Sequence, residues 1–278
     1  MSDALVALAI GLGDDELILG HRHSEWTGYA PHIEEDVAFS SIAQDEIGHA
    51  AAFYAIAAKA NGETPDQIAF GREVAGYRNA RFCERPNREW AYTLARHWLY
   101  DTADDLRLES LQDSSNSDLA QLATKIRREE RYHLLHADMW VRRLAEGPVN
   151  GRTKLAHALT DAFTDIPGLF EPFELEDEAI EEGLLPVPSG ELRDRLVRRA
   201  EENLEKLRLS TVITSDQGER AEFVASSSGD LIAADGDSAQ RPSGADALGG
   251  RRGDHTNDFL DLWKVMTVTY RQNPGATW

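Results

Sequence analysis

Carboxylates and imidazoles recur on the apolar seams of the chain's long helical segments, and no other feature constrains the fold so tightly. Steps of three and four residues link Phe39, Ile42, Glu46, His49 and Phe53, and again Leu119, Leu122, Ile126, Glu130, His133, Ala137 and Trp140. The same steps join Leu5, Ala9, Leu12, Glu16 and Leu19, and Trp90, Leu94, His97, Asp101, Asp104, Leu108 and Leu111. Residues so spaced share one helix face, so the stripes that build a core also carry acids into it. An unpaired carboxylate in that setting costs several kcal/mol, and four together are untenable without counter-charge.

A pair of metal cations supplies the counter-charge. Glu-x-x-His places two ligands one turn apart on one face, and the chain has it twice, at Glu46/His49 and Glu130/His133. With one carboxylate from each remaining long helix, Glu16 and Asp101, this is the ligand set of ferritin-like di-iron or di-manganese bundles. Four carboxylates balance two ferrous ions, and mixed oxygen and imidazole ligation suits iron, with manganese as the alternative metal. With 25 Glu and 9 His, chance supplies roughly 0.8 Glu-x-x-His matches, so the placement on apolar seams carries the weight, not the motif alone. The competing reading is two buried Glu–His hydrogen-bonded pairs without metal.

The helical period runs almost unbroken from Ala4 to about Leu209. Helices are expected from Ala4 to about His23, from Pro31 to about Ala60, from an Asn87 cap to about Leu111, and from Asp118 to Glu146. Two flanking helices follow near Thr153 to Glu171 and Gly190 to Leu209, and a C-terminal helix covers Asn257 to Arg271. The expected fold is therefore an all-α, ferritin-like four-helix bundle with flanking helices, forming one domain over residues 1–278. Residues 210–254 are rich in Ser, Gly, Asp and Ala and read as a flexible insertion, with Thr211–Thr214 and Glu222–Val224 able to form a small hairpin.

Composition excludes several function classes. Lys plus Arg is 29 and Asp plus Glu is 49, so 29 − 49 leaves −20, which argues against nucleic acid or an anionic membrane as partner. Neither a long apolar run nor a secretory leader pattern is present, and the expected location is cytoplasmic. Cys83 is the single cysteine, so this chain alone can hold neither a disulfide nor an iron–sulfur cluster. His21, His23 and His32 read as surface residues, His97 as a core-edge residue, and the acidic run from Glu171 to Glu182 as a solvated face. Asp104 is the candidate for fixing the tautomer of a ligand imidazole.

The block Gln44-Asp45-Glu46-Ile47-Gly48-His49, with Ala30-Pro31 and Glu16 before it, resembles the multicomponent phenylacetyl-CoA epoxidase. So do Trp98-Leu99-Tyr100-Asp101 and Glu129-Glu130-Arg131-Tyr132-His133. The resemblance implies a di-iron catalytic subunit beside a homologous structural one, often called the C subunit. Glu16, Glu46, His49, Asp101, Glu130 and His133 match the catalytic pattern, while Leu12-Gly13-Asp14, Glu25-Trp26 and the ending from His255-Thr256 through Pro274-Gly275 to Trp278 resemble the structural subunit. The resemblance further implies a dioxygen-dependent epoxidation of an aromatic CoA thioester, by a chain working in a homo- or hetero-oligomer. Electrons would come from a separate reductase with a small coupling subunit, since no flavin or nicotinamide fingerprint is present.

Overall fold

The computed structural model describes residues 2–214, 220–225 and 244–276. Four long helices dominate: α1 (Asp3–Ser24), α2 (Ile33–Asn61), then, after the short α3 (Pro65–Phe70) and α4 (Arg81–Glu84), α5 (Trp90–Leu111) and α6 (Ser117–Ala145). Local chemistry sets their ends. The Ser2 hydroxyl accepts from the Leu5 N–H at the start of α1, the Asn116 side chain accepts from the Leu119 N–H at the start of α6, and α2 stops at Gly62, whose φ is 77°. The expected start of α2 at Pro31 is two residues early, since His32 occupies the cap position. Asn87 does not cap α5; its carbonyl accepts from Arg96 and its amide donates to the Arg22 carbonyl, tying α5 to α1.

α1 packs along α2 and α5 along α6, and the pairs meet through α2 and α6. α1 and α2 approach closely because of glycine: a Cβ on Gly20 would stand 3.2 Å from both the Ala43 carbonyl oxygen and Glu46 Cβ. On one side, α7 (Val149–Phe163) and α10 (Ser189–Lys206) flank α5, with α8 (Ile166–Leu169) and α9 (Glu176–Glu181) between them in sequence. The C-terminal α11 (Asn257–Gln272) returns to pack on α3, burying Phe259, Leu262 and Met266. This is the all-α, ferritin-like bundle expected from the seams.

The hairpin in the insertion also forms. β1 (Leu209–Thr214) and β2 (Arg220–Ala225) pair antiparallel, with Leu209 opposite Ala225 and Thr214 opposite Arg220. The rest of the expected flexible stretch, residues 215–219 and 226–243, lies outside the described residues. Its far end is not a surface excursion: Ala247, Gly249, Gly250 and Arg251 are buried, and Arg251 reaches Gly11 and Asp15 in the middle of α1. The acidic run likewise divides. Glu171 is buried and accepts from the Gly249 N–H, and Glu176 is buried and accepts from Ser189, while Glu174, Asp177, Glu178, Glu181 and Glu182 face solvent.

Candidate metal centre

α1 carries three consecutive acids into the interior, Asp14, Asp15 and Glu16, all buried. Of the three, Glu16 is the one that meets the two Glu-x-x-His turns. One oxygen each from Glu16 and Glu130 and one nitrogen of His49 lie within 4.8 Å of one another. His49 Nδ1 is 3.4 Å from Glu16 Oε2 and 3.1 Å from Glu130 Oε1, and His133 Nδ1 is 3.1 Å from the same Glu130 oxygen. These four side chains, contributed by α1, α2 and α6, form the tight part of the site.

Glu46 and Asp101 close the other flank. Both are buried and each is touched by a further imidazole: His23 Nδ1 lies 2.9 Å from Glu46 Oε2, and His97 Nδ1 lies 3.3 Å from Asp101 Oδ1. All six residues expected on the seams therefore point inward. Four lie in contact, while Glu46 and Asp101 engage His23 and His97.

The electrostatics are those of an anionic cluster whose nearest cations are its own imidazoles. Burial, and then the neighbouring Glu16 and Glu130, hold the Glu46 carboxyl well above the usual range. Burial, with Glu130 and Glu46, does the same to Asp101. Burial opposes charge on His49, but the adjacent carboxylates of Glu130 and Glu16 outweigh it and push that imidazole up to about 11. His133 is raised by Glu130 against the same burial penalty, and Glu130 is in turn held below its ordinary value by the two imidazoles. Among the described residues, protonated His49 and His133 are the cations in contact with the Glu16 and Glu130 oxygens, a role that a metal ion would take over by displacing the protons.

Unpartnered atoms mark where such an ion fits. Glu16 Oε2, His49 Nδ1, Glu130 Oε1, His133 Nδ1 and both Asp101 carboxylate oxygens are buried without a hydrogen bond. Buried polar atoms are usually satisfied, and these six orphans on five of the six expected ligands could take a metal ion. The opposite edges of the same side chains are engaged. Tyr100 donates to Glu16 Oε1 at 2.7 Å; His49 Nε2 lies 3.1 Å from Glu129, and His133 Nε2 lies 3.2 Å from Asp45.

That last pair is reciprocal. The acid preceding Glu46 holds the histidine of the α6 motif, and the acid preceding Glu130 holds the histidine of the α2 motif. Asp45 and Glu129 thus fill the orienting role expected of Asp104, which instead faces Arg107 at 3.4 Å. The repeated acid-Glu-x-x-His pattern is the signal that marks them. His23 is not a surface residue, and His97 is not at the core edge; both are fully buried against metal-site carboxylates. Burial holds both imidazoles well below their ordinary value.

The family model described as phenylacetic acid catabolic protein matches residues 1–224. The chain belongs to this family. A curated relative, the C subunit of the 1,2-phenylacetyl-CoA epoxidase of Escherichia coli (strain K12), is 33% identical over 185 residues, covering 66% of this chain and 75% of the relative. Across the described residues of this family member, no helix is long and apolar enough to cross a membrane.

Proposed function

We propose that this chain is a metal-bearing component of a multicomponent oxygenase acting in phenylacetate catabolism, and that it epoxidises the ring of an aromatic CoA thioester. The observation carrying the reading is the set of buried, unpartnered ligand atoms on Glu16, His49, Asp101, Glu130 and His133, with Glu46 beside them. Those six residues would hold two iron ions, with manganese as the alternative. When bound, the metal pair supplies the redox capacity and open coordination positions that dioxygen chemistry needs.

The chain's own residues do the rest. Tyr100 fixes one oxygen of Glu16 and leaves the other turned inward, while Asp45 and Glu129 hold the imidazole planes. Leu12, Phe53, Ile126 and Ala137, all buried on the four-helix seams, keep the surrounding interior dry. Electrons come from a separate reductase through a small coupling subunit. Exposed apolar side chains at the start of α2 (Tyr29, Ile33, Val37) and along one face of α6 (Tyr132, Leu135, Met139) support assembly with a homologous subunit.

The second reading is a non-catalytic structural subunit of the same complex, with which the 33% identity to an epoxidase C subunit is equally compatible. Iron analysis of the purified chain, followed by oxygen consumption dependent on phenylacetyl-CoA and a reductase, separates the two. The catalytic reading expects about two irons per chain and their loss, with activity, in Glu46→Gln. Iron-free wild-type protein that still raises the activity of a separate di-iron subunit would overturn it.

A further inference from the structure

Beside the carboxylate cluster, rings in continuous contact lead to the surface. The Trp26 indole stands 5.0 Å from that of Trp90, Trp90 stands 4.9 Å from Phe39, and Phe39 stands 5.4 Å from the His97 ring, which reaches Asp101. Trp26 is half-exposed, whereas Phe39 and His97 are fully buried. Packing alone disfavours indoles here, because Trp90 Nε1 and Trp140 Nε1 are buried donors with no acceptor, a cost that an aliphatic or phenyl side chain would avoid. What an indole adds over those side chains is easy one-electron oxidation.

We propose that Trp90 and Trp26 form a redox relay that drains the metal pair when it has been oxidised by dioxygen and no substrate is bound; the relay rests on the metal pair proposed above. One electron leaves the Trp90 indole, crosses Phe39 and His97, and reduces the oxidised metal pair by one equivalent. Trp90 is left as a radical cation. Its N–H proton stays in place, because no acceptor adjoins Nε1, so the cation keeps its oxidising strength. An electron from Trp26 refills Trp90. A small solution reductant of the thiol or ascorbate class then refills Trp26 and departs oxidised by one electron. No bond forms or breaks in the protein, and each passage moves one electron from reductant to metal.

Electrostatics direct the path. Trp140 also neighbours Trp90, at 5.8 Å, but the Arg143 guanidinium lies 4.7 Å over its ring. A fixed cation there disfavours a second positive charge on that indole. Among the described residues no cation lies over the Trp26 ring, and its Nε1 donates to Thr93 Oγ1 at 3.1 Å.

The test exposes iron-loaded protein to dioxygen and a reductase, with catalase and without CoA ester, and maps oxidised residues by peptide mass spectrometry. Wild type should accumulate oxidised tryptophan at Trp26, and ascorbate should suppress it. Trp90→Phe, with iron content and melting temperature unchanged, should lose the mark at Trp26 and gain oxidation on the peptides bearing His49 and His133. Trp26→Phe, at a half-exposed position where folding is not at stake, should shift the mark to Trp90. Equal marking of Trp26 in wild type and Trp90→Phe overturns the relay, as does wild-type damage confined to the ligand peptides. A chain that takes up no iron fails the oxygenase reading and the relay with it; a chain that holds iron, consumes dioxygen and leaves Trp26 unmarked fails the relay alone.

Discussion

Asp14 and Asp15 stand beside Glu16 on α1, equally buried, yet the two environments are opposites. Asp14 accepts from Tyr54 at 2.6 Å, from the Arg78 N–H at 2.6 Å, and from Arg72. Asp15 accepts from Arg107 at 2.9 Å, from Arg251 at 2.6 Å, and from the Ala80 N–H at 2.7 Å. Each is a buried charge with its counter-charge and hydrogen bonds complete. Glu16, one residue on, has Tyr100 on one oxygen and an orphan on the other, and its charged neighbours include two more acids. Burial alone therefore does not mark a functional acid. What sets Glu16 apart is that its nearest cation is a histidine of the same cluster, His49 at 3.4 Å, and not an arginine from a distant segment.

The largest effect expected from this contrast is on metal uptake. Glu130→Gln removes the carboxylate that both His49 and His133 touch, and stoichiometric iron binding should be lost, read by metal analysis after gel filtration. In the metal-free protein Glu46→Gln should not destabilise and should raise the melting temperature, because a raised carboxyl pKa means that ionisation opposes folding. A large drop in apo stability for Glu46→Gln would erase the distinction between the two sets of acids.

Asp15→Asn should act in the opposite sense. It leaves Arg107 and Arg251 short of their counter-charge in the interior, and breaking such a buried pair costs about 3–5 kcal/mol. Denaturant unfolding with and without metal should show the same loss in both. Arg251→Met should be milder, since it frees one partner of Asp15 while Arg107 remains.

A smaller effect sharpens the role of the outer acids. Asp45→Asn or Glu129→Gln should weaken metal affinity about 10- to 100-fold, as loss of an imidazole's orienting partner does elsewhere. Apo stability should barely move, because both carboxylates are partly exposed, at 51% and 44% for their side chains. Equal affinity in wild type and both variants would remove them from the site.

The smallest effect concerns Asp105. Its partial burial opposes ionisation, but hydrogen bonds and charge from Arg127 and Arg199 lower its pKa overall. A depressed acid contributes stability above its unfolded value, near 3.9, and loses it as pH falls through its folded one. Asp105→Asn should thus cost about 1 kcal/mol or less at neutral pH, given its partly exposed partners, and nothing at low pH. Chemical denaturation at both ends of that window checks it.

The bundle was legible from the seams, because a 3.6-residue apolar period survives the polar residues that interrupt it. Four expected ligands were legible for the same reason: Glu46/His49 and Glu130/His133 repeat a spacing that only a shared helix face explains. Asp45 and Glu129 were visible as letters but not as partners, since each serves the other motif, 88 and 80 residues away in sequence.

What the sequence determined by itself is the set of helix faces, because periodicity is a local property and each long helix must bury its apolar stripe. Tertiary structure decided which buried groups are satisfied. Asp14, Asp15 and Glu16 are indistinguishable by composition and lie on successive bearings of one helix; Arg72, Arg107 and Arg251 reach the first two from distant segments. Arg251 does so from a stretch that reads as surface insertion, because its small and polar neighbours carry no period, yet its guanidinium bonds Asp15 in the middle of α1. Counter-charges arrive through space rather than along the chain. Among the described residues no arginine bonds Glu16 or Glu130, and the cluster's own imidazoles face them.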